Sequence, residues 1–169
     1  EQGFKYTEEQ KKEIEKACNS QVVLITGKAG TGKSSILRGL TKIYKNYSIA
    51  ACALSAKAAV RITEATNLRA STIHRLLKYS EVGFFYNEEH RLPNDIIILD
   101  EASMVNTKIF LALVCAIREG SKVIIVGDDG QLPPIGSGNI FHDLLNCNTF
   151  TCCKLTKILR QAQKSGIIS

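Results

Sequence analysis

No apolar run among the 169 residues approaches the roughly 18–20 needed to cross a bilayer, so membrane-spanning roles are set aside. The first residues, Glu1-Gln2-Gly3-Phe4-Lys5, lack both a signal-peptide core and an initiating methionine. That start reads as a trimmed or excised piece of a cytoplasmic protein. There is no tryptophan, no internal repeat, no low-complexity tract and no convincing linker. Disorder is excluded too, because the charged residues make up 22% of the chain and are spread along it. C-x-x-C pairs are missing, although cysteine occurs six times. His142, Cys147, Cys152 and Cys153 lie close in sequence, but adjacent residues on a strand point to opposite faces. Buried, reduced thiols are expected rather than a zinc site.

What is present fits one α/β domain over residues 1–169, long enough to bury a core without a disulfide or metal staple. It is also too short for a machine that needs two full domains in one chain. Lys and Arg (22) exceed Asp and Glu (16), and the net charge of +6 makes a polyanion a reasonable partner. Thr7-Glu8-Glu9-Gln10 has the form of a capping box opening a helix that runs to about Cys18. Short apolar strands are expected at 21–26, 48–54, 96–100, 122–127 and 149–155. Helices are expected at 33–44, 57–66, 71–79, 106–118 and 138–146. Residues 80–94 break this rhythm and read as a small β-hairpin insertion. Nearly all-apolar strands alternating with helices predict a parallel sheet covered on both faces.

Gly27-Lys28-Ala29-Gly30-Thr31-Gly32-Lys33-Ser34 matches G-x-x-x-x-G-K-[ST] between an expected strand and helix. Glycines let backbone N–H groups converge on phosphate oxygens, and the helix N-terminus adds partial positive charge. The nucleotide-binding set is therefore Gly27, Lys28, Ala29, Gly30, Thr31, Gly32, Lys33, Ser34 and Ser35. Lys33 is expected on the β- and γ-phosphates and the Ser34 hydroxyl on Mg²⁺. Asp100-Glu101 ends the strand Ile96–Asp100: Asp100 is placed to hold Mg²⁺ and Glu101 to polarise the attacking water. Two adjacent acids favour hydrolysis of a nucleoside triphosphate over transfer to a small acceptor. Gln131, in a proline-stiffened loop after the next strand, is either a γ-phosphate sensor or a solvated glutamine.

These segments together resemble the first, RecA-like motor domain of a superfamily 1 helicase of the RecD/TraA type, the family of the exodeoxyribonuclease V alpha subunit. The resemblance runs from Thr7 to Ser169 in the family's motif order. It implies that Gln10 reads the adenine edge. Ala53-Leu54-Ser55-Ala56-Lys57-Ala58-Ala59 is similar to motif Ia, and Thr72-Ile73-His74-Arg75-Leu76-Leu77 to a further strand-contacting segment. Ser55, Lys57, Thr72, His74 and Arg75 are thus implied nucleic-acid contacts. Leu54 and Ala56 replace the usual proline and glycine of motif Ia, but Ser55 retains a hydroxyl able to donate to a phosphate or sugar oxygen. Asp100-Glu101-Ala102-Ser103-Met104 corresponds to motif II, and 127–133 to motif III. Leu155–Gln161 is similar to L-T-x-x-x-R-Q, whose arginine, here Arg160, touches the γ-phosphate.

The implied protein is an ATP- and Mg²⁺-dependent DNA helicase moving 5′ to 3′ on single-stranded DNA in recombination, repair or conjugation. Nuclease-complex subunits are partners the family brings, and the two-domain motor requires a second RecA-like domain that this chain does not supply. Catalysis would rest on Lys33, Glu101, Gln131 and Arg160. Two other readings stand beside it: a superfamily 1 RNA helicase, and a nucleotide-dependent switch module that does not translocate. His74, taken alone beside Leu76 and Leu77, reads as a core histidine. Phe84, Phe85 and Tyr86, with Arg91 and Lys78 near them, either stack bases or form a plain solvated hairpin.

Overall fold

The computed structural model describes residues 5–128, 130 and 138–156. Thr7 caps the first helix, α1 (Glu8–Cys18), through the expected capping box: its side chain accepts the Gln10 N–H, and the Gln10 side chain accepts the Thr7 N–H. There follow β1 (Val22–Gly27), α2 (Lys33–Ile43), β2 (Ile49–Ala53) and α3 (Ala56–Thr66). The middle of the chain holds β3 (Ser71–Thr72), α4 (Ile73–Leu76), β4 (Tyr79–Ser80) and β5 (Gly83–Phe84). It continues through β6 (Ile96–Leu99), a 3₁₀ turn (Ala102–Met104), α5 (Thr107–Ala116), β7 (Lys122–Gly127), α6 (Ile140–Asn146) and β8 (Thr151–Leu155).

The main sheet is parallel, in the order β3-β2-β6-β7-β1-β8. Its strands alternate between two apolar layers. Val23, Ile25, Ala51, Ala53, Ile96, Ile98, Ile124 and Val126 face one layer, closed by Ala17, Ile36, Leu37, Leu40 and Ile62 of α1 to α3. Leu24, Ala50, Cys52, Ile97, Leu99 and Ile125 face the other, closed by Ile73 and Leu77 near α4, Leu113 and Ala116 of α5, and Phe141 of α6. Both faces of the sheet are therefore covered, as the apolar strands required. Adjacent Cys152 and Cys153 obey the same alternation: Cys153 lies in the first layer and Cys152 packs against the second. Burial pushes the Cys52 and Cys153 thiols up to about 12. No helix among the described residues is long and apolar enough to cross a membrane.

Two expectations are corrected in the middle of the chain. The helix expected over 71–79 is a two-residue strand and a single helical turn, because Ser71 and Thr72 pair with Cys52 and Ala53 at the sheet edge. Thr72 ends that strand and caps α4, accepting the Arg75 N–H. The hairpin starts earlier than expected, with Tyr79 opposite Phe84 and Ser80 opposite Gly83. Gly83 carries φ 110°, a backbone that side chains of L-residues rarely adopt, and this fixes where the chain reverses. Residues 85–91 then run in turns back towards the sheet, where Leu92 bridges Ile117.

Candidate active site

The parallel arrangement gathers the carboxyl ends of β1, β2, β3, β6 and β7 along one edge, where ligands of open α/β sheets bind. The glycine-rich loop joins β1 to α2 there. Gly30 and Gly32 take φ of 84° and 93°, and Gly32 stands directly before the first residue of α2. Thr31 is buried and ties the loop shut, its hydroxyl donating to the Lys28 carbonyl at 2.7 Å. Gly27 cannot be anything larger: a Cβ there would lie 2.5 Å from Thr31 Oγ1 and 2.9 Å from the Leu155 carbonyl oxygen. Lys33 curls back to donate to the Gly27 carbonyl. Ser34 is exposed and Ser35 half-buried in the first turn of α2, whose α2 N–H groups open towards the same space.

Asp100 follows β6, two strands from β1 with β7 between them. Its Oδ1 accepts the Glu101 N–H at 2.7 Å. Burial is the largest influence on its carboxyl and pushes it up from the ordinary carboxylate value, against the pull of that N–H and of Lys33 and Arg61. A half-buried carboxylate and a serine hydroxyl are hard-oxygen donors of the kind Mg²⁺ takes. Glu101 adopts left-handed backbone (φ 51°) and leads into the 3₁₀ turn. Its Oε1 lies 3.3 Å from Arg61 Nη1, which reaches over from α3.

Gln10 is buried in the first turn of α1. Its Oε1 is committed to the Thr7 N–H at 3.0 Å, whereas its Nε2, also buried, has no hydrogen-bond partner among the described residues. A buried donor left in that condition costs about 1–3 kcal/mol unless an acceptor reaches it. Ser55 caps α3, accepting the Ala58 N–H at 3.2 Å, and its hydroxyl proton remains for an anion. Lys57 and Arg75 are exposed.

His74 does not reach out alone. Its ring meets Tyr79 edge-on at 5.5 Å and Phe84 at 5.9 Å, so it ties α4 to the hairpin. The hairpin rings form two groups: Tyr79 with Phe84, and Phe85 with Tyr86 and stacked on His90. Lys78 Nζ lies 5.3 Å from the Phe85 centroid and 5.4 Å from that of Tyr86. Gln131 and Arg160 lie outside the described residues. Sequence reasoning placed Thr31 in the loop but passed over Arg61. Arg61 had a signal, since it stands one helical turn after Lys57.

A concavity of about 950 Å³ lies apart from these groups, between the C-terminal halves of α2 and α3, with Arg38, Lys42, Lys45 and Glu64 around it. It is too far along both helices to belong to the phosphate loop.

The chain is 37% identical over 164 residues to the ATP-dependent RecD2 DNA helicase of Deinococcus radiodurans, covering 96% of this chain and 23% of that protein. The fold matches the crystal structure of Pif1 helicase from Candida albicans with TM-score 0.72 at 23% identity, covering 98% of this chain and 43% of the other. It matches Pif1 helicase from Bacteroides, in complex with ADP-AlF3 and ssDNA, with TM-score 0.66 at 25% identity, covering 94% and 43%. The chain thus spans less than half the length of each of these relatives. Because residues 5–168 also match a family defined as an AAA domain, resemblance becomes membership: the chain belongs to the AAA domain family, and its sequence is similar to RecD-type DNA helicases, as its motifs indicated.

Proposed function

We propose that the chain is the ATP-hydrolysing motor domain of a DNA helicase that moves 5′ to 3′ on single-stranded DNA. The observation that carries this reading is the meeting, at one sheet edge, of a tight phosphate loop and a half-buried carboxylate pair. Gly27 to Ser35 hold the phosphates through backbone N–H groups and the start of α2. ATP approaching the loop offers Lys33 a stronger acceptor than the Gly27 carbonyl it now contacts, and the ammonium turns to the β- and γ-phosphates. Ser34 and Asp100 would hold Mg²⁺, which would neutralise phosphate charge when bound. Glu101 takes a proton from water as its oxygen attacks the γ-phosphorus, and the bond to the β–γ bridging oxygen breaks to leave ADP and phosphate. Lys33 offsets the charge on the departing and transferring oxygens.

The unpartnered Gln10 Nε2 supports the adenine role, since a ring nitrogen of the base is the acceptor it lacks. Gln131 and Arg160 complete the γ-phosphate contacts on the strength of motif spacing. Ser55, Lys57, Thr72 and Arg75 line the strand path at the carboxyl edge, and His74 shapes it through the hairpin. A second RecA-like domain forms the opposite wall of the nucleotide cleft, and nuclease-complex subunits are candidate partners.

Two measurements test this. In the full-length protein, Lys33→Ala is expected to lower single-strand-stimulated ATP turnover by on the order of 10²-fold or more and to abolish unwinding. Unwinding that survives would turn the reading towards a nucleotide-dependent binding module. Residues 1–169 alone are expected to hydrolyse ATP poorly with one wall of the cleft; robust DNA-stimulated turnover by this piece would defeat that expectation. Matched DNA and RNA oligomers in the same assay identify the track.

A further inference from the structure

Glu101 is held by a residue that the hydrolysis scheme does not use. Its side chain is 23% exposed and forms an ion pair with Arg61, whose own side chain is 62% exposed. Arg61 rises from the outer face of α3. The inner face of that helix, Ala58, Ala59, Ile62 and Thr66, is fastened to the sheet. The outer face carries Lys57, Val60, Arg61 and Glu64 in one exposed stripe. Lys57 and Arg61, four residues apart, project side by side one turn from each other. Two like charges at that spacing repel weakly, and an anion between them satisfies both. Lys57 also follows Ser55, the capping hydroxyl, in the segment that meets the nucleic-acid strand.

Arg61 therefore stands between two competing anions. One is the carboxylate that activates water; the other is a phosphate of whatever strand lies along α3. We propose that Arg61 is a switch between them: without a strand it restrains Glu101, and a strand phosphate gripped jointly with Lys57 draws it away and frees the base. This rests on the reading of Glu101 as general base and of α3 as a strand contact. The device joins the two ligand sites through one side chain, with no movement of the sheet. Its reach is modest by nature. An exposed pair is worth up to about 1 kcal/mol, which converts to about fivefold in population. A guanidinium suits the task because it exchanges a carboxylate for a phosphate with little geometric loss.

The test uses the full-length protein. Arg61→Gln is expected to raise strand-free ATP turnover about two- to fivefold while leaving turnover at saturating single-stranded DNA unchanged. The stimulation ratio then falls by the same factor, with KM for ATP unmoved. The slope of log affinity for the strand against log salt is expected to shrink by about 0.7, one phosphate contact on a single strand. Arg61→Lys keeps a cation there and retains most of the stimulation and of the salt slope. Strand-free turnover that stays level or falls in Arg61→Gln overturns the switch, as does an unchanged salt slope. Glu101→Gln run in parallel separates the two layers: turnover that survives it removes the base assignment, whatever Arg61 does.

Discussion

The phosphate loop and the α4–hairpin region lie along the same edge of one sheet, yet they are built on opposite plans. Around Gly27–Ser35 the geometry is set by backbone: two glycines at positive φ, a buried threonine latching a carbonyl, and a strand end with no room for a methyl group. Around Thr72–Arg91 the geometry is set by side chains. Rings and one lysine support one another largely in the open, with Tyr79 61% and Phe85 53% exposed. The difference teaches where each region tolerates change. A backbone cradle fails when one atom is added; an aromatic cluster loses affinity in portions as rings are taken away.

Gly27→Ala sets the first half of that contrast at its sharpest. The added Cβ meets Leu155 backbone as well as Thr31, so the loop or β8 must shift. A destabilisation of about 1–3 kcal/mol is expected, together with loss of nucleotide binding; thermal melting and titration with a fluorescent ATP analogue read the two. A variant that melts normally and binds normally would show that the cradle is not backbone-limited. Phe85→Ala sets the second half. Removing a ring that pairs with Tyr86, His90 and Lys78 is expected to weaken single-stranded DNA binding by about 1–3 kcal/mol, the worth of one base stack. Anisotropy with a labelled oligomer checks it, and unaltered affinity would make the hairpin a solvated ornament rather than a stacking surface.

Asp100→Asn gives the smallest effect on folding, and the opposite sign. The amide keeps an oxygen for the Glu101 N–H and removes a carboxylate whose ionised form burial disfavours. Because the native carboxyl titrates above its ordinary value of 3.8, its favourable contribution is present below that pH and is lost as pH rises through the raised native value. The variant should therefore melt with the parent near pH 4 and above it near neutrality, by about 2–4 °C per kcal/mol relieved. Melting curves across that range check it, and equal melting at neutral pH would mean the site carries the charge without strain. ATP turnover is expected to be lost in the same protein, which places the cost of the site on function's side of the ledger.

The uneven legibility of the sequence follows the same division. The loop, the strands and the acidic pair were readable because each is local: glycine spacing, short apolar runs and an acid at a strand's end need only a few neighbours. The capping box at Thr7 and Gln10 was readable for that reason as well. Thr72–Leu76 was misread as part of a longer helix because its first residues are claimed by the edge of β2, some twenty positions earlier in the chain. His74 took its meaning from Tyr79 and Phe84, which reach it only after the hairpin turns at Gly83. Arg61 and Glu101 are forty positions apart, and only the packing of α3 on β2, which pairs with β6, makes them a pair. Gln10 was expected on the adenine edge; the fold commits its oxygen to the cap, and its buried nitrogen has no partner among the described residues.

One close approach couples parts of the chain that sequence keeps far apart. Gly27 lies in register with Leu155, at the end of the strand that leads into the Arg160 segment. Since no space remains between the Gly27 α-carbon and the Leu155 carbonyl, the position of the loop and the register of β8 form a single degree of freedom. Sliding β8 along its axis by one residue would bring a different carbonyl against the loop and turn Cys152 and Cys153 to each other's faces. The strand thus serves as a gauge block: it sets the height at which the phosphate-binding loop sits, and it can be inserted only one way.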